Sequence, residues 1–187
     1  SIVDVYSQYS FNRQSLAYGS QGKLYHLHNA RFEPGKFGQA IMIEEGTTNL
    51  FSNPSFENGW TTPWDYYRVY GKPVVTVEDG GVFGGKCVKV TTDGLEDEGI
   101  KQHKSGILAG TTYTFSAYLK GNGAVKLQFR CRDSNGIIIS GGDFGTSNLT
   151  LTSSWQRFSL SFVTVTGTAT CDVAVITSSA TTFYVDV

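Results

Sequence analysis

The sequence has few charged residues, no excess of basic over acidic ones and no long apolar run. Charged residues make up 17% of the chain, below the roughly 25% usual for soluble globular proteins, and 15 basic residues stand against 16 acidic ones. Nucleic-acid binding is not expected, because there is no basic excess to neutralise phosphates. Membrane insertion is not expected either, because a spanning helix needs about 20 apolar residues and the apolar stretches here are short.

Cysteine is scarce as well. Cys87, Cys131 and Cys171 are the only three, and no CxxC spacing occurs among them, which argues against a zinc site. Each lies in an apolar, strand-like pattern, so we expect three small buried hydrophobic side chains. One disulfide with one free thiol is the alternative.

Catalytic motifs are also missing, which predicts a protein that is not an enzyme. The sequence contains no G-x-S-x-G motif and no convincing serine–histidine–aspartate set. The acidic residues 96–98 are adjacent in sequence, and nothing implies the facing carboxylates that glycoside hydrolysis requires, so we interpret them as a solvated turn. His26 and His28 lack a carboxylate or thiol at ligand spacing and are interpreted as a surface pair.

Alternation of polar and apolar residues with a period of two is the strongest pattern present. It is clearest in residues 113–120 and 125–132. The apolar faces of these two segments consist of Tyr113, Phe115, Ala117 and Leu119, and of Val125, Leu127, Phe129 and Cys131. Because the intervening Gly-Asn-Gly permits a tight turn, we expect the two strands to pair as a hairpin.

Other segments repeat this pattern between glycine-rich turns, whereas no helical period persists. Further strands are expected at residues 73–78, 86–91, 99–105, 137–140, 155–165, 169–177 and 182–187. Regular short strands of this kind predict an all-β sandwich or barrel. Residues 1–46 lack a strong period, apart from a short strand expected within 39–44, and form a mostly irregular N-terminal extension before a domain of residues 47–187.

Four segments in order resemble a known family. Residues 49–60 are similar to the opening N-L-x-x-N-x-S-F-E-x-G-x-x-W of calcium-bearing jelly-roll carbohydrate-binding modules, and residues 84–90, 110–121 and 183–187 are similar to later segments. The resemblance implies a two-sheet antiparallel β-sandwich (jelly roll) that binds a polysaccharide or oligosaccharide without catalysis. The sequence departs from the family in the last strand, where Val187 replaces the second residue of the usual Asp-Asp pair.

Residues 31–50 resemble segments that precede such sandwiches in bacteriophage tail and other virion proteins, and in bacterial surface proteins. This implies an extracellular, cell-surface or virion location, with neighbouring copies of the chain or other virion or surface proteins as partners. The alternative function is therefore a structural or assembly subunit, whose N-terminal extension contacts its neighbours.

The resemblance also implies a structural calcium ion where the first and last strands meet. Glu57 and Asp186 match the family's carboxylate positions, while Ser55, Phe83 and Lys86 match positions that offer mostly carbonyl oxygens. Calcium prefers six to eight oxygen ligands of these two kinds. Alternatively, Glu57 is a solvated turn residue and Asp186 a polar residue at a sheet edge.

Planar polar side chains on the expected hairpin suggest a sugar-binding face. Tyr118, Gln128 and Arg130 share its polar side, and Gln102 joins them if the alternation of its own strand matches. A tyrosine ring can stack on a pyranose, and Gln and Arg can form paired hydrogen bonds with adjacent hydroxyls. An ordinary solvated sheet face is the alternative.

Residues 60–70 are dense in aromatic side chains and are interpreted as a loop. Aromatic loops provide contact area at low entropic cost, so Trp64, Tyr66 and Tyr67 are candidates for ligand contact. The resemblance implies that Trp60 and Trp155 pack inward.

Overall fold

The computed structural model describes residues 49–68, 72–82 and 85–187, together with four short strands earlier in the chain. The chain divides into two compact units, residues 1–50 and 51–187. The short strands form two antiparallel pairs: β1 (Ala17–Tyr18) with β2 (Leu24–Tyr25), and β3 (Phe32–Gly35) with β4 (Gly38–Ile41). The strand expected within residues 39–44 overlaps β4, and His26 and His28 lie outside the described residues.

The second unit consists of two stacked antiparallel sheets, which confirms the predicted all-β sandwich. The six-stranded sheet contains β5 (Trp64–Arg68), β8 (Glu98–Ser105), β10 (Ala124–Arg132), β11 (Ile138–Gly145), β12 (Leu149–Thr150) and β14 (Thr170–Thr177). The five-stranded sheet contains β6 (Val74–Asp79), β7 (Lys86–Asp93), β9 (Thr112–Gly121), β13 (Gln156–Val163) and β15 (Ala180–Asp186).

The strand orders are β11-β10-β14-β8-β5, with β12 also paired to β10, and β13-β9-β15-β7-β6. A long apolar helix of the kind that crosses a membrane is not found within the described residues.

The two strands that were expected to form a hairpin, β9 and β10, belong to different sheets. Residues 121–123 carry the chain from one sheet to the other, since the Gly121 N–H donates to the Thr152 carbonyl and the Leu151 N–H donates to the Gly123 carbonyl. Gly121 has φ of 146°, and a Cβ atom there would lie 2.6 Å from the Thr182 carbonyl oxygen. The hairpin prediction was therefore wrong, although both strands and their alternation are present.

The core lies between the sheets and is built from the apolar faces of the alternating strands. Leu119, Leu127 and Val125 are fully buried, and the rings of Phe129 and Phe162 bring the two sheets together with centroids 3.7 Å apart. Each large apolar side chain buried in this way contributes roughly 1.5–3 kcal/mol. The sandwich therefore provides a rigid support for the polar side chains on its two outer faces.

The three cysteines are free and buried, as their apolar surroundings predicted. Cys131 and Cys171 face each other across the β10–β14 pair. Burial, together with the nearby Asp172 and Cys131, raises the pKa of the Cys171 thiol to about 12. This thiol therefore remains uncharged and packs as a small apolar side chain.

The acidic residues 96–98 are not all part of a solvated turn. Glu96 is exposed, but Glu98 lies in β8, is fully buried and accepts the Asp93 N–H through Oε2 at 3.0 Å. The prediction was wrong for Glu98, because the strand begins one residue earlier than the sequence pattern indicated.

Candidate functional site

The outer face of the six-stranded sheet carries a cluster of planar polar side chains, which we call the glycan face. Alternation along β10 buries Leu127 and Phe129 in the core and turns Gln128 and Arg130 outward. Other strands of the same sheet supply Tyr67 from β5, Asp143 from β11 and Asp172 from β14. We define the glycan face by Tyr67, His103, Gln128, Arg130, Arg132, Asp143 and Asp172.

Tyr67 belongs to strand β5 within this face rather than to a loop. Its side chain packs against Ala174 and Ile176 in a small apolar cluster separate from the main core, and only 7% of the residue is exposed. The Arg130 guanidinium carbon lies 5.5 Å from the centroid of the Tyr67 ring, a distance at which a cation is attracted to an aromatic face. Burial raises the pKa of the Tyr67 phenol, so its hydroxyl stays protonated at neutral pH.

Asp143 fixes the two planar side chains of β10. Its Oδ2 accepts a hydrogen bond from Arg130 Nε at 2.8 Å, and its Oδ1 accepts one from Gln128 Nε2 at 3.1 Å. Within the described residues, the buried Gln128 Oε1 has no hydrogen-bond partner. One carboxylate thus orients both groups and leaves an acceptor for which the described residues supply no donor.

A second carboxylate orders the far end of the face. Asp172 Oδ1 lies 2.8 Å from His103 Nδ1. Its Oδ2 accepts a hydrogen bond from Arg132 Nε at 2.8 Å and lies 2.7 Å from Arg132 Nη2. Burial alone would raise the pKa of Asp172, but the hydrogen bonds from His103 and Arg132 hold it below its ordinary value. Asp172 is therefore a charged, buried anchor for its two neighbours.

Tyr118 does not belong to the glycan face. It alternates outward from β9, in register with Arg157 of β13 and Asp186 of β15, and so lies on the outer face of the five-stranded sheet. The prediction that Tyr118 joins Gln128 and Arg130 was wrong, because the two strands never pair.

Gln102 points into the sandwich instead of outward. It is fully buried and shares its side of β8 with the core residue Ile100. Its Oε1 accepts the Ser52 N–H and its Nε2 donates to the Ser52 carbonyl, both at 3.0 Å. Gln102 therefore anchors the segment before β5, and its predicted role in sugar contact was wrong.

The other aromatic candidates are also not on this face. Trp64 is a core residue, whose ring stacks on Phe51 at 5.7 Å and whose indole N–H donates to the Asn53 carbonyl at 2.9 Å. Tyr66 lies at the edge strand β5, with its ring 5.4 Å from that of Trp60 and the Lys72 ammonium 4.2 Å from its centroid. Of the three, the structure therefore brings only Tyr67 to the glycan face.

Trp155 is not a core residue, contrary to expectation. It is half-buried on the outer side of the five-stranded sheet, where the Lys120 ammonium lies 4.6 Å from its ring centroid and its indole N–H donates to the Gly80 carbonyl at 3.3 Å. Trp60, in contrast, packs against the core as expected.

The residues of the predicted calcium site come together beside the chain's last strand. The Val187 N–H donates to the Pro54 carbonyl at 3.2 Å, so the segment before β5 meets the end of β15. Glu57 Oε1 accepts the Lys86 N–H at 2.8 Å, and Asp186 Oδ2 accepts the Val82 N–H at 2.9 Å. Four of the five candidates are thus neighbours, and the fifth, Phe83, lies outside the described residues.

The surroundings of Asp186 disfavour its charged form. Burial raises its pKa and the nearby charge of Glu57 raises it further, against the hydrogen bonds from Val82, Val187 and Ser55. A Cβ atom on Gly81 would touch the Lys86 carbonyl oxygen and would lie 2.8 Å from Asp186 Oδ2, so these two oxygens border one small space. Carbonyl and carboxylate oxygens in this arrangement are the donor set that suits a hard cation such as calcium.

Within the described part of the chain, no group of three or more His, Cys, Asp or Glu side chains is arranged to hold a metal ion. A cation beside Asp186 would therefore depend on backbone carbonyl oxygens as well as on the two carboxylates. A zinc-type site built from side chains alone is not found there.

Sequence reasoning missed four members of the glycan face: His103, Arg132, Asp143 and Asp172. The alternation of β8 and β14 was visible, but the sequence alone did not indicate that β14 pairs with β10 and β8 with β14. Asp143 was missed because β11 extends to Gly145 rather than ending at residue 140.

Known proteins share this fold. A family model described as a carbohydrate-binding domain matches residues 48–182. Among curated proteins, no sequence matches the chain.

Three solved structures illustrate the likeness. The xylan-binding CBM22-1 domain of Paenibacillus barcinonensis Xyn10C has a TM-score of 0.56 and 17% identity, over 71% of this chain and 86% of that one. TmCBM61 in complex with β-1,4-galactotriose has a TM-score of 0.50 and 19% identity, over 75% and 95%. The enzymatically active domain of bacteriophage CBA120 tailspike protein 4 has a TM-score of 0.64 and 12% identity; the match covers 74% of this chain but only 20% of the tailspike chain.

Proposed function

Because this chain belongs to the carbohydrate-binding domain family, we propose that its glycan face binds a polysaccharide or oligosaccharide without catalysing its cleavage. The family match covers most of the sandwich, and the family is described as a carbohydrate-binding domain. The proposal assigns the contact to Tyr67, Gln128 and Arg130, with Asp143 holding the last two in place.

The observation that carries this assignment is the hydrogen-bonded group of Arg130, Asp143 and Gln128 beside the Tyr67 ring. A sugar presents hydroxyl groups that both donate and accept hydrogen bonds, and planar Arg and Gln side chains in fixed orientations match adjacent hydroxyls. Gln128 Oε1, which lacks a protein donor among the described residues, is the acceptor that a sugar hydroxyl would use after a small side-chain rotation. Arg130, which Asp143 already holds in place, loses little rotamer entropy on contact.

The charge of the glycan face favours a neutral sugar. Arg130 is paired with Asp143, and Arg132 is paired with Asp172. Since each of these two guanidinium groups has its own carboxylate, an anionic ligand would gain little from them. A xylan oligosaccharide and β-1,4-galactotriose, which match the xylan-binding domain and the galactotriose complex described above, are therefore the first probes to use.

Isothermal titration calorimetry with xylohexaose and β-1,4-galactotriose tests this proposal. We expect Gln128→Ala to weaken binding about tenfold, since it removes a group that contacts hydroxyls. Tyr118→Ala serves as the matched control on the opposite sheet and is expected to leave affinity unchanged. Binding that depends on Tyr118 and not on Gln128 would overturn the assignment.

We also propose a structural calcium ion beside Asp186, held by Glu57, Asp186 and carbonyl oxygens that include that of Lys86. The ion would offset the repulsion between the two carboxylates and join the segment around Pro54 to the last strand. No chemistry at the glycan face depends on it.

The setting that we propose is outside the cell, on a cell surface or a virion, where neighbouring copies or other surface proteins are the partners. The separate unit of residues 1–50 and the likeness to a phage tailspike fold support this proposal. Deletion of residues 1–46 is expected to abolish assembly in size-exclusion chromatography with light scattering, while the sandwich remains folded. Unchanged assembly after the deletion would contradict an assembly role for the N-terminal unit.

A further inference from the structure

We propose that the outer face of the five-stranded sheet is a second binding surface, which takes a glycan that carries negative charge. The surface consists of Trp155, Lys120, Tyr184 and Lys89, which we call the aromatic–lysine row. It lies on the opposite side of the sandwich from the glycan face and shares no residue with it.

The register of three strands places these residues in one line across the sheet. Tyr184 of β15 is paired with Lys120 of β9 on one side and with Lys89 of β7 on the other. Trp155 immediately precedes β13, whose first residue, Gln156, is paired with Leu119. Since neighbouring strands lie about 4.8 Å apart, the row extends across roughly 14 Å of sheet surface.

Lys120 stands between two aromatic rings. Its ammonium lies 4.6 Å from the ring centroid of Trp155 and 4.8 Å from that of Tyr184, while the Lys89 ammonium lies 5.9 Å from Tyr184. The indole N–H of Trp155 is bonded to the Gly80 carbonyl, which fixes the plane of the ring. All four members of the row are half-buried, so part of each remains accessible.

The charge of Lys120 is not compensated by a carboxylate of the described residues. Among the ion pairs within the described residues, Lys89 has Glu78 at 3.5 Å, but Lys120 has no carboxylate within 4.0 Å. Its ammonium contacts two ring faces, an interaction worth roughly 0.5–1 kcal/mol for each ring at an exposed site. A carboxylate or sulfate could therefore form a charge-assisted hydrogen bond with Lys120 without displacing an existing anion.

The aromatic rings and the lysine between them together indicate the chemistry of the ligand. Flat aromatic faces suit the C–H face of a pyranose ring, and a cation between them suits an anionic substituent on that ring. On the glycan face, in contrast, Arg130 and Arg132 are each neutralised by an aspartate. The two outer faces therefore differ in the charge of the sugar that they would accept.

Affinity electrophoresis of the full chain in gels that contain polygalacturonate, dextran sulfate or neutral dextran tests the proposal. We expect retardation by one or both acidic polymers but not by dextran, and the two acidic gels distinguish a carboxylate from a sulfate ligand. Lys120→Gln should weaken binding to the acidic polymer at least fivefold, while Lys120→Arg, which keeps the charge, should retain most of it.

Lys72→Gln is the matched control, because Lys72 also lies over a tyrosine ring, that of Tyr66, and its loss changes the net charge equally. Gln128→Ala, which affects the glycan face, should leave binding to the acidic polymer unchanged, so this inference and the proposed function can fail separately. Equal losses in the Lys72 and Lys120 variants would overturn the inference, since they would show attraction by net charge alone. No retardation of the unaltered protein by either acidic polymer would overturn it as well.

Discussion

Arg130 and Asp143 face each other in direct register across the β10–β11 pair and are joined by a 2.8 Å hydrogen bond. Because Asp143 also accepts a hydrogen bond from the side-chain amide of Gln128, it positions both Gln128 and Arg130 on the glycan face. We therefore treat Asp143 as a positioning residue, while Gln128 and Arg130 make the proposed contacts.

Asp143→Asn should weaken glycan binding without unfolding the protein. The substitution keeps the shape of the side chain but removes the charge that orients Arg130, so we expect the affinity for xylohexaose to fall about tenfold, which corresponds to about 1.4 kcal/mol. Calorimetry provides the measurement, and a melting curve followed by circular dichroism checks the fold. Glu96→Gln, a change of the same charge at an exposed position, should have no effect; equal losses in both variants would argue against a positioning role.

Asp172 should make the protein sensitive to acid. Since its folded-state pKa lies below the ordinary value of 3.8, its stabilising contribution is complete above pH 3.8 and is lost as the pH falls through the folded pKa. We expect Asp172→Asn to lower the free energy of unfolding by about 1.5–3 kcal/mol at pH 7, the range for a hydrogen bond to a charged group. Urea unfolding at pH 7 and at pH 3 measures this, and a difference that stays the same at both pH values would contradict the account.

Asp186 should show the opposite pH dependence in the absence of calcium. Its folded-state pKa is raised, so its contribution to stability is greatest below pH 3.8 and is lost as the pH rises through the folded pKa. In EDTA at pH 7, we expect Asp186→Asn to be at least as stable as the unaltered protein, because it removes a buried charge that lies near Glu57.

Added calcium should make the unaltered protein more stable than Asp186→Asn. A ligand present at 100 times its Kd stabilises the folded state by about 2.7 kcal/mol, so added calcium should raise the melting temperature of the unaltered protein. It should have little effect on Asp186→Asn or Glu57→Gln. If calcium leaves the melting temperature of the unaltered protein unchanged, there is no structural ion at this position.

Gln102 should matter for stability and not for glycan binding. Gln102→Ala removes both hydrogen bonds to the Ser52 backbone and leaves a cavity, so we expect a loss of about 2–4 kcal/mol in the free energy of unfolding. The affinity of the folded fraction for xylohexaose should be unchanged. A variant that is as stable as the unaltered protein but does not bind would restore Gln102 to the ligand face.

Local alternation was enough to predict most strands and which of their side chains are buried. Phe115 and Leu119 are in the core as predicted, and Arg130 is on the opposite side of its strand from the core. This works because the two faces of a strand alternate regardless of which partner the strand has.

Alternation does not identify the strand with which a given strand pairs. The wrong hairpin and the wrong place for Tyr118 both follow from that. The Gly-Asn-Gly segment fits a hairpin turn as well as a crossing between sheets, and contacts with Thr152 and Thr182, far along the chain, decide between them. Tyr118 was therefore assigned to the wrong sheet.

Gln102, in contrast, could have been assigned correctly from its sequence, since it has the same parity as the apolar Ile100 in a predicted strand. Gln102 was a candidate for the outer face because it is polar, although its place in the alternation puts it on the core side. Buried glutamines of this kind are tolerated when both ends of the amide are bonded, as they are here to Ser52.

The most direct test of the central claim is an NMR titration of the isotope-labelled full chain with xylohexaose, followed by backbone amide and Arg side-chain shifts. We predict that the largest shifts map to β5, β8, β10 and β14 around Tyr67 and Arg130, with little change along β7, β9 and β15. Shifts centred on β9 and β15, or none at millimolar ligand across a panel of neutral oligosaccharides, would contradict the assignment of the glycan face.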